Sequence, residues 1–158
     1  MIIGEAPGEQ EDRQGQPFVG QAGKLLDRML QTLNLSRTAE KAEHAVYIAN
    51  VLKCRPPRNR NPELEEMALC EPFLKRQIEL VNPRVIIAMG RFAVQTLLGT
   101  HEAIGRLRSR IHHYKHIPVI VTYHPAYLLR NPVDKRKSWA DLCLMAETLH
   151  NADPEDQA

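Results

Sequence analysis

The stretch NPRVIIAMG, residues 82–90, decides the fold class of this chain. A proline turn leads into an apolar run without polar alternation, which is typical of a parallel strand buried on both faces. The segment RFAVQTLLG (91–99) follows directly and predicts a helix that ends at Gly99. A buried strand that runs into a helix is the building unit of α/β domains.

The same alternation of strands and helices continues towards both ends of the chain. Further strands are predicted in MIIGEAPG (1–8), in AVYIANVLKC (45–54) with an end at Asn50, and in IPVIVTYHP (117–125). Further helices are predicted in QAGKLLDRMLQTLNL (21–35), from Pro62 onwards, and in SWADLCLMAETLH (138–150). We therefore predict one three-layer α/β/α domain over residues 1–150 around a central, mostly parallel four-stranded sheet, followed by a disordered tail at 151–158.

Length and composition fit a globular domain without a strong charge bias. The chain has 158 residues, 43% of them hydrophobic, and a net charge of +2, so its overall charge is a weak argument for a polyanionic partner. Its positive charges concentrate in two loops without acids, 53–61 and 105–115. These are either a local phosphate-binding face or two solvated loops, and charge alone does not separate the two interpretations.

Cysteine content and apolar segments bear on location. An odd number of cysteines, three, argues against a disulfide framework and predicts a reducing, cytoplasmic environment. The sequence has no apolar run of membrane-spanning length, so no membrane association is expected. The first apolar run is shorter than an ordinary strand, and we therefore expect the sequence to be truncated at its N-terminus.

Four unusual side chains are predicted to meet at one edge of the sheet. Glu5 follows the first predicted strand, Asn50 ends the second, and His124 lies at the end of the last. Parallel sheets bind ligands at the carboxyl ends of their strands, and the glycine- and proline-rich loop around Phe18 could hold its ring over the same edge. Each residue alone has a plain interpretation as a cap, a turn or a core residue. Together they indicate a functional site.

Cys54 and Cys70 bracket the stretch KCRPPRNRNPELEEMALC (53–70). From the residues alone, a disulfide, a metal site and ordinary packing are all open. Cys143 lies on the apolar stripe of the last predicted helix and is expected to be a buried packing residue.

Three blocks of the sequence resemble the signatures of family 4 uracil-DNA glycosylases, the iron–sulfur members of that superfamily. The blocks are GEAPGEQEDRQGQPFVGQAG (4–23), NVLKCRPPRNRNP (50–62) and VTYHPAYLLRNP (121–132). The resemblance extends from Ile2 to about His150. It implies a uracil-DNA glycosylase-like fold and an enzyme that flips uracil out of DNA, hydrolyses its N-glycosidic bond and initiates base excision repair.

The resemblance also implies a 4Fe–4S cluster held by four cysteines. Cys54 and Cys70 match two of these ligands, and the other two form a CxxC pair that precedes the GEAPG block and is absent from this sequence. The cleavage chemistry needs no metal, so the cluster is expected to be structural and to hold the loop 55–61 against the body of the protein.

The roles of five residues at the base follow from the same resemblance. Phe18 is expected to stack on the extruded uracil, and Asn50 to read its polar edge. Glu11 is expected near C5, where the methyl group of thymine would clash. His124 is expected to donate a hydrogen bond to uracil O2 as the anion forms. Glu5 is expected to stabilise the oxocarbenium-like sugar and to orient water.

Further residues are assigned to the oxyanion, the water and the DNA backbone. Backbone N–H groups near Ala6 are expected to assist at O2, and Asn59 to position the water or a phosphate. An apolar side chain is expected to enter the minor groove and fill the gap left by the flipped base, with Leu128 and Leu129 as candidates. The expected phosphate contacts lie in two segments: Arg55, Arg58, Arg60 and Arg130.

These assignments predict a monomer whose partner is uracil-containing DNA. The main alternative is a catalytically impaired DNA-binding module of the same fold, because this sequence supplies only half of the cluster ligands. A third interpretation makes residues 4–8 the phosphate cradle of a nucleotide hydrolase. It is weak, because no GK[ST] follows the glycines and no metal-binding pair of aspartates is evident.

Overall fold

Five strands form one sheet within residues 1–151, which are the residues that this computed structural model describes. The strands are β1 (Ile2–Gly4), β2 (Ile48–Asn50), β3 (Ile86–Met89), β4 (Ile111–Tyr114) and β5 (Ile117–Thr122). Their order across the sheet is β2-β1-β3-β5-β4, and every pairing is parallel except that of β4 with β5. The predicted four parallel strands are confirmed.

The fifth strand, β4, corrects the predicted number of four. It pairs antiparallel with β5 at the edge of the sheet, and its residues are exposed or only half-buried. The two strands are joined by a two-residue turn in which Lys115 has a φ of 55°. Such turns usually carry Asn-Gly or Asp-Gly, so the sequence lacks both the apolar pattern and the turn signal of a hairpin.

Helices cover both faces of the sheet and give the predicted three layers. They are α1 (Glu9–Gln14), α2 (Gln21–Gln31), α3 (Leu64–Val81), α4 (Arg91–Leu98), α5 (Ile104–Leu107), α6 (Pro125–Arg130) and α7 (Lys135–Asn151). Core residues of α3 and α4 pack on one face together with Ile86 and Ala88. Core residues of α2 and α7 pack on the other face together with Ile87 and Met89. Alternate side chains of β3 thus enter opposite cores, which explains its unbroken apolar run.

Helix α3 begins at Leu64, two residues later than predicted. Glu63 is extended and forms a capping box, in which the carboxylate of Glu66 accepts a 2.9 Å hydrogen bond from the Glu63 N–H. The same carboxylate binds Arg60 through two hydrogen bonds of 2.9 and 2.7 Å, and this bonding lowers the pKa of Glu66 to about 2. The start of α3 and the basic loop before it are therefore tied together.

The structure describes only the first residue of the predicted C-terminal tail. Asn151, the first residue of the predicted tail, ends α7, whereas residues 152–158 lie outside the described part. Within the described part, no helix is both long enough and apolar enough to cross a membrane.

Candidate active site

The predicted site residues lie at the carboxyl edge of the four parallel strands. Asn50 ends β2, Glu5 follows β1, and His124 comes two residues after β5. The ring of Phe18 is buried, with 5% exposure, and stacks on the imidazole of His124 at a centroid distance of 5.2 Å and an interplanar angle of 27°. Glu5, Asn50 and His124 thus lie at strand ends on one edge of the sheet, and the ring of Phe18 reaches that edge through its contact with His124.

Two glycines allow these side chains to approach the sheet closely. A Cβ atom added at Gly4 would lie 2.6 Å from both Asn50 Oδ1 and Phe18 Cζ. A Cβ atom added at Gly90, which follows β3, would lie 3.3 Å from His124 Cβ. The aromatic ring, the amide and the imidazole therefore surround strand ends that carry no side chain of their own.

Asn50 has a buried carbonyl oxygen without a partner in the described chain. The residue is 6% exposed, and no donor within residues 1–151 reaches its Oδ1. A buried polar atom left unpaired costs about 1–3 kcal/mol, so such an atom in a cleft is a candidate ligand contact. The Asn50 backbone is held in place, because Lys53 Nζ donates to its carbonyl oxygen at 2.6 Å. Asn50 and Glu11 line one cavity of about 270 Å³.

His124 is held as a neutral imidazole whose proton is on Nε2. Its Nδ1 accepts a 3.1 Å hydrogen bond from the N–H of Ala126 and caps α6, so Nδ1 carries no proton. Burial and, to a smaller extent, the charge of Arg130 lower the pKa of His124 to about 4, although Glu11 opposes both effects. At neutral pH the ring therefore presents Nε2–H as a donor.

Glu5 is a partly desolvated carboxylate beside an arginine. Burial raises the pKa of Glu5, and the nearby guanidinium of Arg91 counteracts part of that increase. The Glu5 carbonyl oxygen accepts a 2.9 Å hydrogen bond from Leu52 N–H, which ties the segment after β1 to the segment after β2. Ala6 is half-buried against the core. Sequence reasoning missed Arg91, although its position directly after Gly90, the residue that follows β3, was an available signal.

Glu11 binds backbone N–H groups of two loops. Its carboxylate accepts from Gly8 at 3.1 Å and from Val19 and Gly20 at 2.9 Å each. Burial alone would raise the pKa of Glu11, but these hydrogen bonds lower it. The side chain therefore joins the glycine turn to the Phe18 loop. Its predicted position beside C5 of the base stays a prediction.

The two candidate groove residues differ in exposure. Leu128 is 0% exposed and belongs to the core, whereas Leu129 is 44% exposed. The assignment of Leu128 to the DNA surface is therefore wrong, because its side chain could reach a groove only if α6 were unpacked. Leu129 stays the candidate, with Arg130 exposed next to it.

The basic loop after β2 is only partly available to DNA. Arg60 is bound to Glu66 and lies 3.4 Å from Glu63, and Arg55 Nε donates to Asn59 Oδ1 at 2.7 Å. Arg58 is exposed. No described contact joins Asn59 to Glu5 or His124. The DNA contacts of the three arginines and the role of Asn59 stay predictions.

One arginine of the second basic segment, 105–115, forms an ion pair with a residue of α7. Arg108 donates to both carboxylate oxygens of buried Asp141, at 3.0 and 2.9 Å. Thr122, the last residue of β5, donates to the same carboxylate at 2.8 Å. Arg108 thus supports the strand that leads to His124, which favours a structural role for this part of the loop.

Cys54 and Cys70 line one small hollow of about 170 Å³ next to Leu52 and Pro56. All three cysteines are unpaired, and Cys143 is half-buried where a buried residue was expected. The described residues contain no group of three or more His, Cys, Asp or Glu side chains that could hold a metal ion. Two thiols cannot by themselves complete a cluster that normally takes four thiolates, and the assignment of Cys54 and Cys70 to such a cluster stays a prediction.

Comparison with known proteins agrees with this geometry. A family profile described as "Uracil DNA glycosylase superfamily" matches residues 1–144. A type-4 uracil-DNA glycosylase of Saccharolobus solfataricus is 45% identical over 94% of this chain and 70% of that protein. A type-4 uracil-DNA glycosylase of Archaeoglobus fulgidus is 40% identical over 98% of this chain and 78% of that protein. Another, of Thermotoga maritima, is 46% identical over 83% of this chain and 66% of that protein. The chain therefore belongs to the uracil-DNA glycosylase superfamily and groups with its type-4 members.

Proposed function

We propose that this chain is a uracil-DNA glycosylase, which extrudes uracil from DNA, hydrolyses its N-glycosidic bond and so initiates base excision repair. The names of its type-4 relatives support this activity. The single observation that carries the proposal is the buried Asn50 Oδ1, unpaired among the described residues, beside the ring of Phe18. A flat base with an N–H on its edge would satisfy both groups.

Asn50 selects uracil by its hydrogen-bonding pattern. Its Oδ1 accepts from uracil N3–H, and its Nδ2 donates to O4. Cytosine presents an acceptor at N3 and a donor at N4, so both amide groups would face like groups. A buried site rejects such a mismatch strongly, because the polar atoms on both sides are left unpaired. Phe18 contributes stacking, which holds the base without distinguishing between pyrimidines.

His124 and Glu5 act on the two charges that bond cleavage creates. When the C1′–N1 bond breaks, its electron pair leaves with the base and spreads to O2, and positive charge develops at C1′. His124 donates from Nε2 to O2 and stabilises the anion without becoming protonated itself. Glu5 stabilises the cation and orients the water that adds to C1′. The added water releases one proton to the solvent, and the uracil anion takes one up from the solvent after it leaves. Both stabilising interactions are stronger at this edge of the sheet than in water, because charges in a partly buried site are less screened.

DNA is held by groups around this edge. Arg58 and Arg130 are exposed and suited to phosphate contacts, and Leu129 is suited to the gap left by the base. We propose that the protein acts as a monomer. A cytoplasmic location is part of the proposal and rests on the three unpaired thiols.

The proposal is tested by excision from oligonucleotides that contain uracil, cytosine or thymine at one position. The parent chain is expected to release uracil only. Asn50→Asp is expected to reduce the preference for uracil over cytosine by about tenfold or more, since an unpaired buried polar group costs about 1–3 kcal/mol. Asn50→Ala is the matched control and should lose uracil excision without gaining cytosine excision.

Two results would contradict these assignments. If Asn50→Asp kept the base preference of the parent chain, the proposal that Asn50 recognises the polar edge of the base would be refuted. DNA binding by the parent chain without any excision would favour the alternative, a DNA-binding module of the same fold.

We also propose that Cys54 and Cys70 supply two thiolate ligands of a 4Fe–4S cluster. The shared hollow of the two thiols and the type-4 relatives support this proposal. A cluster there would be structural, since it adjoins the basic loop and not Glu5 or His124. Cys54, Pro56 and Arg55 would then be fixed against α3, where Cys70 lies.

Iron content tests the cluster proposal independently of catalysis. Protein reconstituted without oxygen with iron, sulfide and an excess of a small thiol, which can supply the two ligands that this sequence lacks, is expected to be brown and to contain iron and acid-labile sulfide. Cys54→Ala and Cys70→Ala should each lose the colour and most of the iron, because cluster ligation normally takes four thiolates. Cys143→Ala, the control on α7, should keep both. Iron-free parent protein, or iron retained in all three variants, would refute the assignment.

A further inference from the structure

The loop that carries Phe18 has a backbone conformation that its own residues do not favour. Phe18 has a φ of 52°, in the left-handed region that bulky side chains rarely adopt. A Cβ atom added at Gly23 would lie 1.7 Å from the Phe18 carbonyl oxygen, so α2 packs directly against this peptide. Such a conformation persists only where surrounding contacts determine it.

Arg37 provides contacts of this kind from a distant part of the chain. Its Nη1 donates to the carbonyl oxygen of Pro17 at 2.6 Å, and its Nη2 donates to that of Phe18 at 2.9 Å. Its Nε donates to Asp27 on α2 at 2.9 Å, and the side chain is only 20% exposed. The planar guanidinium therefore joins two consecutive carbonyl groups of the loop to the helix behind it.

Glu11 holds the same loop from the opposite side of the peptide chain. Whereas Arg37 binds the carbonyl groups of residues 17 and 18, Glu11 binds the N–H groups of residues 19 and 20. Arg37 is itself anchored close to β2, because the neighbouring Ser36 pairs with the segment 44–46. Contacts to both sides of the loop thus determine where the Phe18 ring lies relative to the strand that ends in Asn50.

We propose that Arg37 is a positioning residue for base recognition: it acts through Phe18 and holds the stacking ring parallel to the extruded base. This inference rests on the proposed function, since it assigns a purpose to the Phe18 ring. Arg37 makes no described contact with Glu5, Asn50 or His124. Its effect on catalysis therefore has to pass through the loop.

The first arm of the test does not depend on catalysis. Hydrogen–deuterium exchange is compared for the parent chain, Arg37→Ala, Arg37→Lys and the control Arg28→Ala, which removes an exposed arginine from α2. Faster exchange is expected in residues 16–20 of Arg37→Ala, with no change in β3 or β5. Arg37→Lys should be intermediate, because an ammonium group cannot bridge both carbonyl groups and Asp27. Unchanged exchange in this segment would overturn the proposal.

The second arm is a double-mutant cycle with Phe18→Ala, scored by uracil excision. Arg37→Ala is expected to lower kcat/KM by about tenfold to a hundredfold in the parent, as small misplacements of positioning groups do. In the Phe18→Ala background the same substitution should cost less than about twofold, because the ring it positions is gone. Equal losses in both backgrounds would reveal a general effect on the fold and refute positioning through Phe18.

The two arms separate this inference from the proposed function. If the parent chain excises no uracil, the proposed function fails, and the exchange data alone decide whether Arg37 holds the loop. If the parent is active and exchange is unchanged, the proposed function stands and the role of Arg37 is refuted.

Discussion

Replacing His124 with alanine is expected to lower kcat for uracil excision by about 10²–10³-fold, the usual loss when one oxyanion donor is removed. The ring is neutral with its proton on Nε2, and in the proposed mechanism this N–H faces the charge that develops on the departing base. Binding of uracil-containing DNA should change little, because the proposed phosphate contacts are made by other residues. Single-turnover excision and DNA-binding titrations measure the two effects separately.

A matched variant separates the donor function of His124 from its capping function. The imidazole also accepts the Ala126 N–H at the start of α6, so alanine removes a helix cap as well as a donor. Serine at position 124 restores a capping oxygen but is too short to donate to the base. His124→Ser should therefore be as inactive as His124→Ala. Recovery of activity in the serine variant would mean that the loss came from the helix cap.

Replacing Glu5 with glutamine is expected to lower kcat by about 100-fold or more, in the range of other positioned acid–base groups. Glutamine keeps the shape of the side chain but lacks the charge that opposes the cation at C1′. The effect should be large because Glu5 is partly desolvated and its electrostatic interactions are weakly screened. Glu9→Gln is the control, since Glu9 lies in the same segment, is exposed and pairs with Arg13. Equal activity of the two variants would refute the role of Glu5.

The pH dependence of excision gives a second measurement for Glu5. The carboxylate acts in its ionised form, and burial raises its pKa. The rate should therefore fall as the pH is lowered through this raised pKa, at a higher pH than for an ordinary glutamate. Arg91→Ala removes a charge that stabilises the carboxylate, so the acidic limb should move to higher pH. His124 titrates near pH 4 and stays neutral above that value. If the acidic limb of the pH profile did not move in Arg91→Ala, that limb would report the titration of a group other than Glu5.

Most strands and helices, and much of the candidate site, could be predicted from hydrophobic periodicity and from the residues at the ends of the strands. The unbroken apolar runs predicted parallel strands, and parallel strands direct their carboxyl ends to one edge. Glu5, Asn50 and His124 therefore had to share an edge once the strands were recognised. The edge strand β4 was missed, because its exposed residues carry no burial pattern and its turn carries no glycine.

Side-chain roles were harder to predict where two positions look alike in the sequence. Leu128 and Leu129 are adjacent and identical in type, yet the packing of α6 buries the first and exposes the second. The basic residues look equally free in the sequence, yet Arg60 and Arg108 are bound to carboxylates. Their partners, Glu66 and Asp141, could not be chosen from charge alone.

The sequence by itself determined the four parallel strands, the helical layers and the residues at the carboxyl edge of the sheet, because hydrophobic periodicity and strand direction can be read locally. Only the tertiary structure decided the protonation state of His124, the unpaired side-chain oxygen of Asn50, and the hydrogen bonds that join Arg37 and Glu11 to the Phe18 loop. Each of these depends on distances between atoms brought together by packing. Hydrogen bonding and desolvation change steeply over such distances, and no spacing of residues along the chain encodes them.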